Sequence, residues 1–175
     1  GHTWPNPAVG SVIVKDGIIL ARGWTQASGR PHAEVEALRR AKKAPQGLQG
    51  ATMYVTLEPC SHQGKTPPCA DAIVKAGLAR VVSALEDPNP EVAGKGHEKL
   101  RGKGIAVDIG LGAEEAKRVH VGHITRVTKA RPHVLLKLAI SADGKVGLAG
   151  RKSVQLSGEP ARTRVFQLRA QSDAI

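Results

Sequence analysis

The 175-residue sequence predicts an α/β fold that opens on a hairpin and continues through parallel crossovers. Three observations carry this expectation. Asp16-Gly17 separates two apolar, β-branched runs, a strong hairpin signal; short apolar runs then alternate with stretches rich in Ala, Leu and charged residues; and Gly77 and Gly104 stand where those stretches end.

The elements follow in order. Residues 9–15 and 18–21 are the hairpin strands, and residues 33–43 read as a helix following Pro31-His32. Residues 53–57 form a short strand that delivers Glu58-Pro59-Cys60 at its C-terminal end. A helix opening at Cys69, behind Pro67-Pro68, runs to about Gly77, and residues 80–85 are the next buried strand. Residues 95–103 predict a helix, 105–109 a strand, and 112–128 one further helix with an acidic first turn at Glu114-Glu115. Arg131-Pro132 marks the boundary between a first domain, 1–130, and a second, 131–175. In the second, residues 133–140 read as a strand, Ser141-Ala142-Asp143-Gly144 as a turn into a short strand, and Gly158-Glu159-Pro160 opens a helix to about Ala170. Asp173-Ala174-Ile175 has the pattern of a strand beginning. Forty-odd residues do not close a domain, so the sequence reads as a truncated piece, its N-terminal helix missing as well.

Chemistry concentrates in four residues. His32, Cys60 and Cys69 supply one imidazole and two thiolates, the three-ligand set of a catalytic zinc whose fourth position holds water. Glu34, two residues from a ligand, is the candidate to carry that water's proton to a leaving nitrogen. Cys69 at a helix N-terminus is favoured as thiolate. The alternative is a structural zinc site closed by His62 as a fourth ligand, which would make the chain an assembly module or pseudoenzyme. Such a site has no use for Glu34.

Composition bounds the rest. Both cysteines belong to the metal pattern, so no disulfide framework is implied, and a cytoplasmic, reducing setting suits the thiolates. No apolar run reaches membrane-spanning length, and no signal peptide opens the sequence. The net charge of +11 is uneven: residues 1–115 carry 14 Lys and Arg against 12 Asp and Glu, whereas residues 116–175 carry 12 against 3. That excess suits nucleic acid, a phosphorylated small molecule or a solvated face. With one Phe and one Tyr, stacking platforms for single strands are nearly absent, which disfavours nucleic acid.

H-x-E followed by P-C-x-x-C is the signature of zinc nucleobase deaminases. Here eight residues, Ser61 to Pro68, separate the cysteines. With Pro5-Asn6-Pro7-Ala8-Val9-Gly10, Pro31-His32-Ala33-Glu34, Thr56-Leu57-Glu58-Pro59-Cys60 and Glu86-Asp87-Pro88-Asn89-Pro90, that long loop resembles the bifunctional riboflavin-biosynthesis enzymes, in which a pyrimidine deaminase precedes a reductase. The resemblance implies a cytidine-deaminase-like three-layer α/β/α sandwich with a mixed, largely parallel sheet, followed by the truncated start of a dihydrofolate-reductase-like α/β domain. It implies deamination of a pyrimidine bearing a ribose 5′-phosphate, with Asn6, His62, Lys65, Asp87 and Asn89 on the substrate. For Asp87 and Asn89 the alternative is a turn held by side-chain hydrogen bonds. Lys137 to Gly144 and Leu168 to Ile175 resemble the opening of the NADPH-dependent reductase, which implies a cofactor contact at Ala139 and substrate contacts at Ser153 and Arg169. Gln155 departs from the family's tryptophan beside the cofactor. A homo-oligomer is also implied. Deamination of a tRNA adenosine or a free base or nucleotide is the competing enzyme reading.

Overall fold

The computed structural model describes residues 2–90, 92–152 and 154–175. Two compact units separate after His133, the first spanning Thr3–His133.

In the first unit β1 (Gly10–Lys15) and β2 (Ile18–Trp24) form the expected antiparallel hairpin. Asp16 and Gly17 take φ of 51° and 75°, the left-handed pair that a two-residue turn matched to strand twist requires. Then come α1 (Ala33–Ala41), β3 (Thr52–Val55), α2 (Cys69–Lys75), β4 (Arg80–Ser83), α3 (Lys95–Arg101) and β5 (Ala106–Ile109). Among the described residues the sheet has five strands in the order β2-β1-β3-β4-β5. β1 lies antiparallel to both neighbours, and β3, β4 and β5 run parallel.

Alternation along the strands divides the sheet's faces. Ile13, Met53 and Val81, aligned across three strands, are fully buried with Ala37, Leu38 and Ala41 of α1, Ala70 and Ile73 of α2, and Leu100 of α3. Small residues on α1 let it lie close on β2. Gly23 is where they meet: a Cβ there would collide with the Ala33 carbonyl oxygen and the Ala37 backbone nitrogen. The opposite face, with half-buried Val12 and Tyr54, borders a cavity of about 480 Å³ that also touches Trp24, Ala116 and Val119.

Two expectations are corrected. The single helix over 112–128 is two, α4 (Ala113–Val119) and α5 (Val121–Lys129), broken at His120 (φ −90°, ψ 9°). β-branched Val119 and Val121 flank the break, and burial of His120, whose Nε2 lies 3.1 Å from Thr56 Oγ1, outweighs continuation of the helix. Nor do residues 133–140, or those after Gly144, form strands. Residues 134–175 offer no second strand among the described residues, and a lone strand leaves its backbone groups without a ladder. The turn at Ser141–Gly144 is present, closed by the Gly144 N–H on the Ser141 carbonyl at 2.9 Å. The second unit's helix, α6 (Glu159–Gln171), follows with Pro160 in its first turn.

Candidate functional site

His32 is the N-cap of α1, in extended conformation (φ −67°, ψ 158°). Cys69 opens α2, and Cys60 lies beyond the C-terminal end of β3. Two backbone contacts lock the sulfur-bearing segments together: the Ala70 N–H donates to the Cys60 carbonyl at 3.1 Å, and the Cys69 N–H to Cys60 Sγ at 3.3 Å. His32 Nδ1 then lies 3.3 Å from Cys69 Sγ and 3.7 Å from Cys60 Sγ. All three donor atoms fall within 4.8 Å of one another. One imidazole nitrogen and two sulfurs on a single centre fit zinc. His62 is exposed and is not part of this group, so the four-ligand closure weighed from sequence is absent among the described residues.

Electrostatics match the donor set. The hydrogen bond from the Cys69 thiol lowers the Cys60 pKa to about 4, and the same contact with burial raises that of Cys69. The contact to Cys60 also raises His32. Glu34, in the first turn of α1 and 4% exposed, is pushed up to about 7, chiefly by burial. A carboxyl poised near neutrality can both accept and deliver a proton.

The other candidates of the first unit lie on loops. Asn6 Nδ2 donates to the Gly29 carbonyl at 2.8 Å and lies 3.2 Å from His32 Nε2, so it braces the His32 ring on the side away from the two sulfurs. Gly29 (φ 79°) leaves that space; a Cβ would stand 2.9 Å from the Asn6 side chain. His62 and Lys65 are exposed on the inter-cysteine loop, which is tied down by Arg30 Nη1 donating to Thr66 Oγ1 at 2.8 Å. Asp87 is buried, and its Oδ1 accepts the Asn89 N–H at 2.9 Å and lies 3.1 Å from His123 Nε2. Burial opposes its ionisation, but these hydrogen bonds prevail and its pKa is lowered. In the second unit Ala139 is half-buried in irregular chain, and Arg169 is exposed on α6, its guanidinium 5.9 Å from the Phe166 ring centre. Ser153 lies outside the described residues.

Sequence reasoning missed Glu58. Its carboxylate, on the segment leading to Cys60, accepts four backbone N–H groups: Asp87 at 3.1 Å and Gly94 at 3.0 Å on Oε2, Gly96 at 2.7 Å and His97 at 3.2 Å on Oε1. The loop bearing Asp87 and Asn89 is thereby anchored two residues from Cys60. His123 was missed too, because a histidine inside a charged helical stretch carries no local signal.

Comparison with known proteins agrees with this geometry. Residues 1–85 match the cytidine and deoxycytidylate deaminase zinc-binding region, and residues 132–175 the RibD C-terminal domain. The chain is 50% identical over 173 residues to the riboflavin biosynthesis protein RibD of Escherichia coli, covering 99% of this chain and 46% of that protein. To the protein of the same name from Aquifex aeolicus it is 46% identical over 175 residues, covering 100% and 48%. It thus spans about half the length of the curated relatives it matches. Among solved structures it superposes on a diaminohydroxyphosphoribosylaminopyrimidine deaminase/5-amino-6-(5-phosphoribosylamino)uracil reductase from Thermotoga maritima with a TM-score of 0.90 at 46% identity, covering 96% of this chain and 48% of that one. On Acinetobacter baumannii RibD the TM-score is 0.88 at 48% identity, covering 97% and 47%. The cytidine-deaminase-like fold expected from sequence is the one found.

Proposed function

Because the chain belongs to the RibD family of riboflavin-biosynthesis proteins, we propose that its first unit hydrolytically deaminates 2,5-diamino-6-ribosylamino-4(3H)-pyrimidinone 5′-phosphate. The observation that carries this reading is the convergence of His32, Cys60 and Cys69 beside buried Glu34. His32, Cys60 and Cys69 would hold zinc, which would supply Lewis acidity and make water more acidic there. Glu34 takes the proton of the attacking water and passes it to the pyrimidine ring nitrogen, then to the amine. The carbon–oxygen bond forms, the exocyclic carbon–nitrogen bond breaks, and ammonia leaves.

Substrate contacts fall to the surrounding loops. The Asn6 amide and the Asp87 and Asn89 side chains meet the base and ribose, while exposed His62 and Lys65 supply donors to the phosphate. Residues 132–175 are the opening of an NADPH-dependent reductase, with Ala139 at the cofactor and Ser153 and Arg169 at its substrate. A chain that carried a complete reductase domain would also reduce the ribosyl side chain of the deaminated product. No helix among the described residues is long and apolar enough to cross a membrane. The same reading makes the protein a homo-oligomer of the cytoplasm.

Glu34→Gln tests the central claim. It should retain stoichiometric zinc by elemental analysis and lose ammonia release from the pyrimidine phosphate by about 10²–10⁴-fold. Activity near the parent's, with zinc bound, refutes the role of Glu34.

A further inference from the structure

We propose that His123 is a positioning residue for the deamination, holding the Asp87 carboxylate in the orientation in which it meets the substrate. This rests on the reading of Asp87 as a substrate contact.

The placement comes from α5. Its first turn carries His120 and His123, three residues apart and so on one side of the helix. His120 Nε2 lies 3.1 Å from Thr56 Oγ1, just past β3, and His123 Nε2 lies 3.1 Å from Asp87 Oδ1, beyond β4. One helical turn therefore spans the C-terminal ends of two adjacent parallel strands, where α/β sheets place their sites. The His123 and Asp87 side chains are 9% and 12% exposed, so their contact is largely shielded from water.

A third residue lies against the other edge of the ring. Arg126 Nη2 lies 3.5 Å from His123 Nδ1. A carboxylate only accepts, so in the 3.1 Å contact to Asp87 Oδ1 the hydrogen sits on His123 Nε2. Arg126 also lies 5.7 Å from the ring centre of Trp4, two residues before Asn6. Trp4, Arg126, His123 and Asp87 thus form a chain of contacts joining the two loops that bear Asn6 and Asp87. The Asp87 backbone is already pinned by Glu58, and the Oδ1 bond from Asn89 is local. His123 is the side chain from a distant element that fixes the rotation of the carboxylate about its own axis.

Steady-state kinetics on the zinc-loaded protein test this. His123→Leu should raise KM for the pyrimidine phosphate about tenfold, with kcat changed less than about twofold. His123→Gln, whose amide keeps an N–H within reach of Asp87, should restore most of that loss. Asp87→Ala should raise KM as well, and adding His123→Leu to it should raise KM no further, since the histidine acts through the aspartate. Matching thermal midpoints exclude unfolding as the cause. If His123→Leu does not fold, His123→Asn, too short to reach Asp87, should show the same rise in KM. An unchanged KM in His123→Leu or His123→Asn, with Asp87→Ala raised, overturns the inference and leaves the Asp87 reading intact. Additive effects in the double variant also overturn it. An unchanged KM in Asp87→Ala overturns the Asp87 reading, and the inference with it.

Discussion

Glu58→Gln is the most demanding perturbation the structure suggests, because it changes one atom. The parent carboxylate accepts four backbone N–H groups, two on each oxygen. Whichever oxygen becomes the amide nitrogen, two N–H donors then face an NH₂ group and lose their acceptor. Orphaning a buried donor costs about 1–3 kcal/mol. The other two keep a neutral carbonyl in place of a charged one, a loss of roughly 1 kcal/mol each. The expected destabilisation is about 4–8 kcal/mol, much of the roughly 5–15 kcal/mol that holds a domain folded. Urea unfolding at fixed zinc should show a lower midpoint with an unchanged slope. Hydrogen exchange should show lost protection at Asp87, Gly94, Gly96 and His97. A loss below about 1 kcal/mol, or unchanged protection of those amides, refutes the claim that this carboxylate organises the loop.

Two other outcomes follow from packing and charge. Gly23→Ala must lift α1 off β2, since the new Cβ meets helix backbone and not a side chain that can turn away. A stability loss of about 1–3 kcal/mol and weaker zinc retention against a chelator are expected, and parent-like values in both refute the close-contact argument. Acid should destabilise the fold in two stages. Burial lowers the pKa of His97 and His120 below 6.5, so the unfolded chain binds protons that the folded one refuses, and stability declines as pH falls below about 6.5. Glu36, depressed to about 2 by Arg39 and Arg40, adds a second decline between about pH 4.5 and 2. Replacing His97 and His120 by Asn should flatten the first stage in a stability-versus-pH series; an unaltered slope refutes the assignment.

The first unit was legible because local chemistry and tertiary packing agree there. Asp16-Gly17 can hardly be other than a tight turn between strands, and Pro31-His32 and Pro68-Cys69 place the candidate donors His32 and Cys69 at helix starts whose positions the sequence marks. What escaped was long-range. Glu58 reads locally as a strand-end acid, yet its partners lie 29 to 39 residues away. The break at His120 depends on Thr56, 64 residues distant, which no helical periodicity encodes. In the second unit, β-branched and leucine-rich residues 133–140 carry a strand's pattern, but pattern without a pairing partner does not make a strand. The long inter-cysteine loop showed the opposite balance, since its length pointed to the family before any contact was known.

The irregular stretch after His133 has a bearing on handling. Val134, Leu135, Leu136, Leu138 and Ile140 are 56–75% exposed on a segment whose backbone groups belong to no ladder. Apolar, β-prone and unpaired, it offers a template on which molecules in solution can stack edge to edge. The 175-residue chain should therefore turn turbid on concentration. Charged residues at positions 136 and 138 should lower that tendency, at positions that lie just before Ala139.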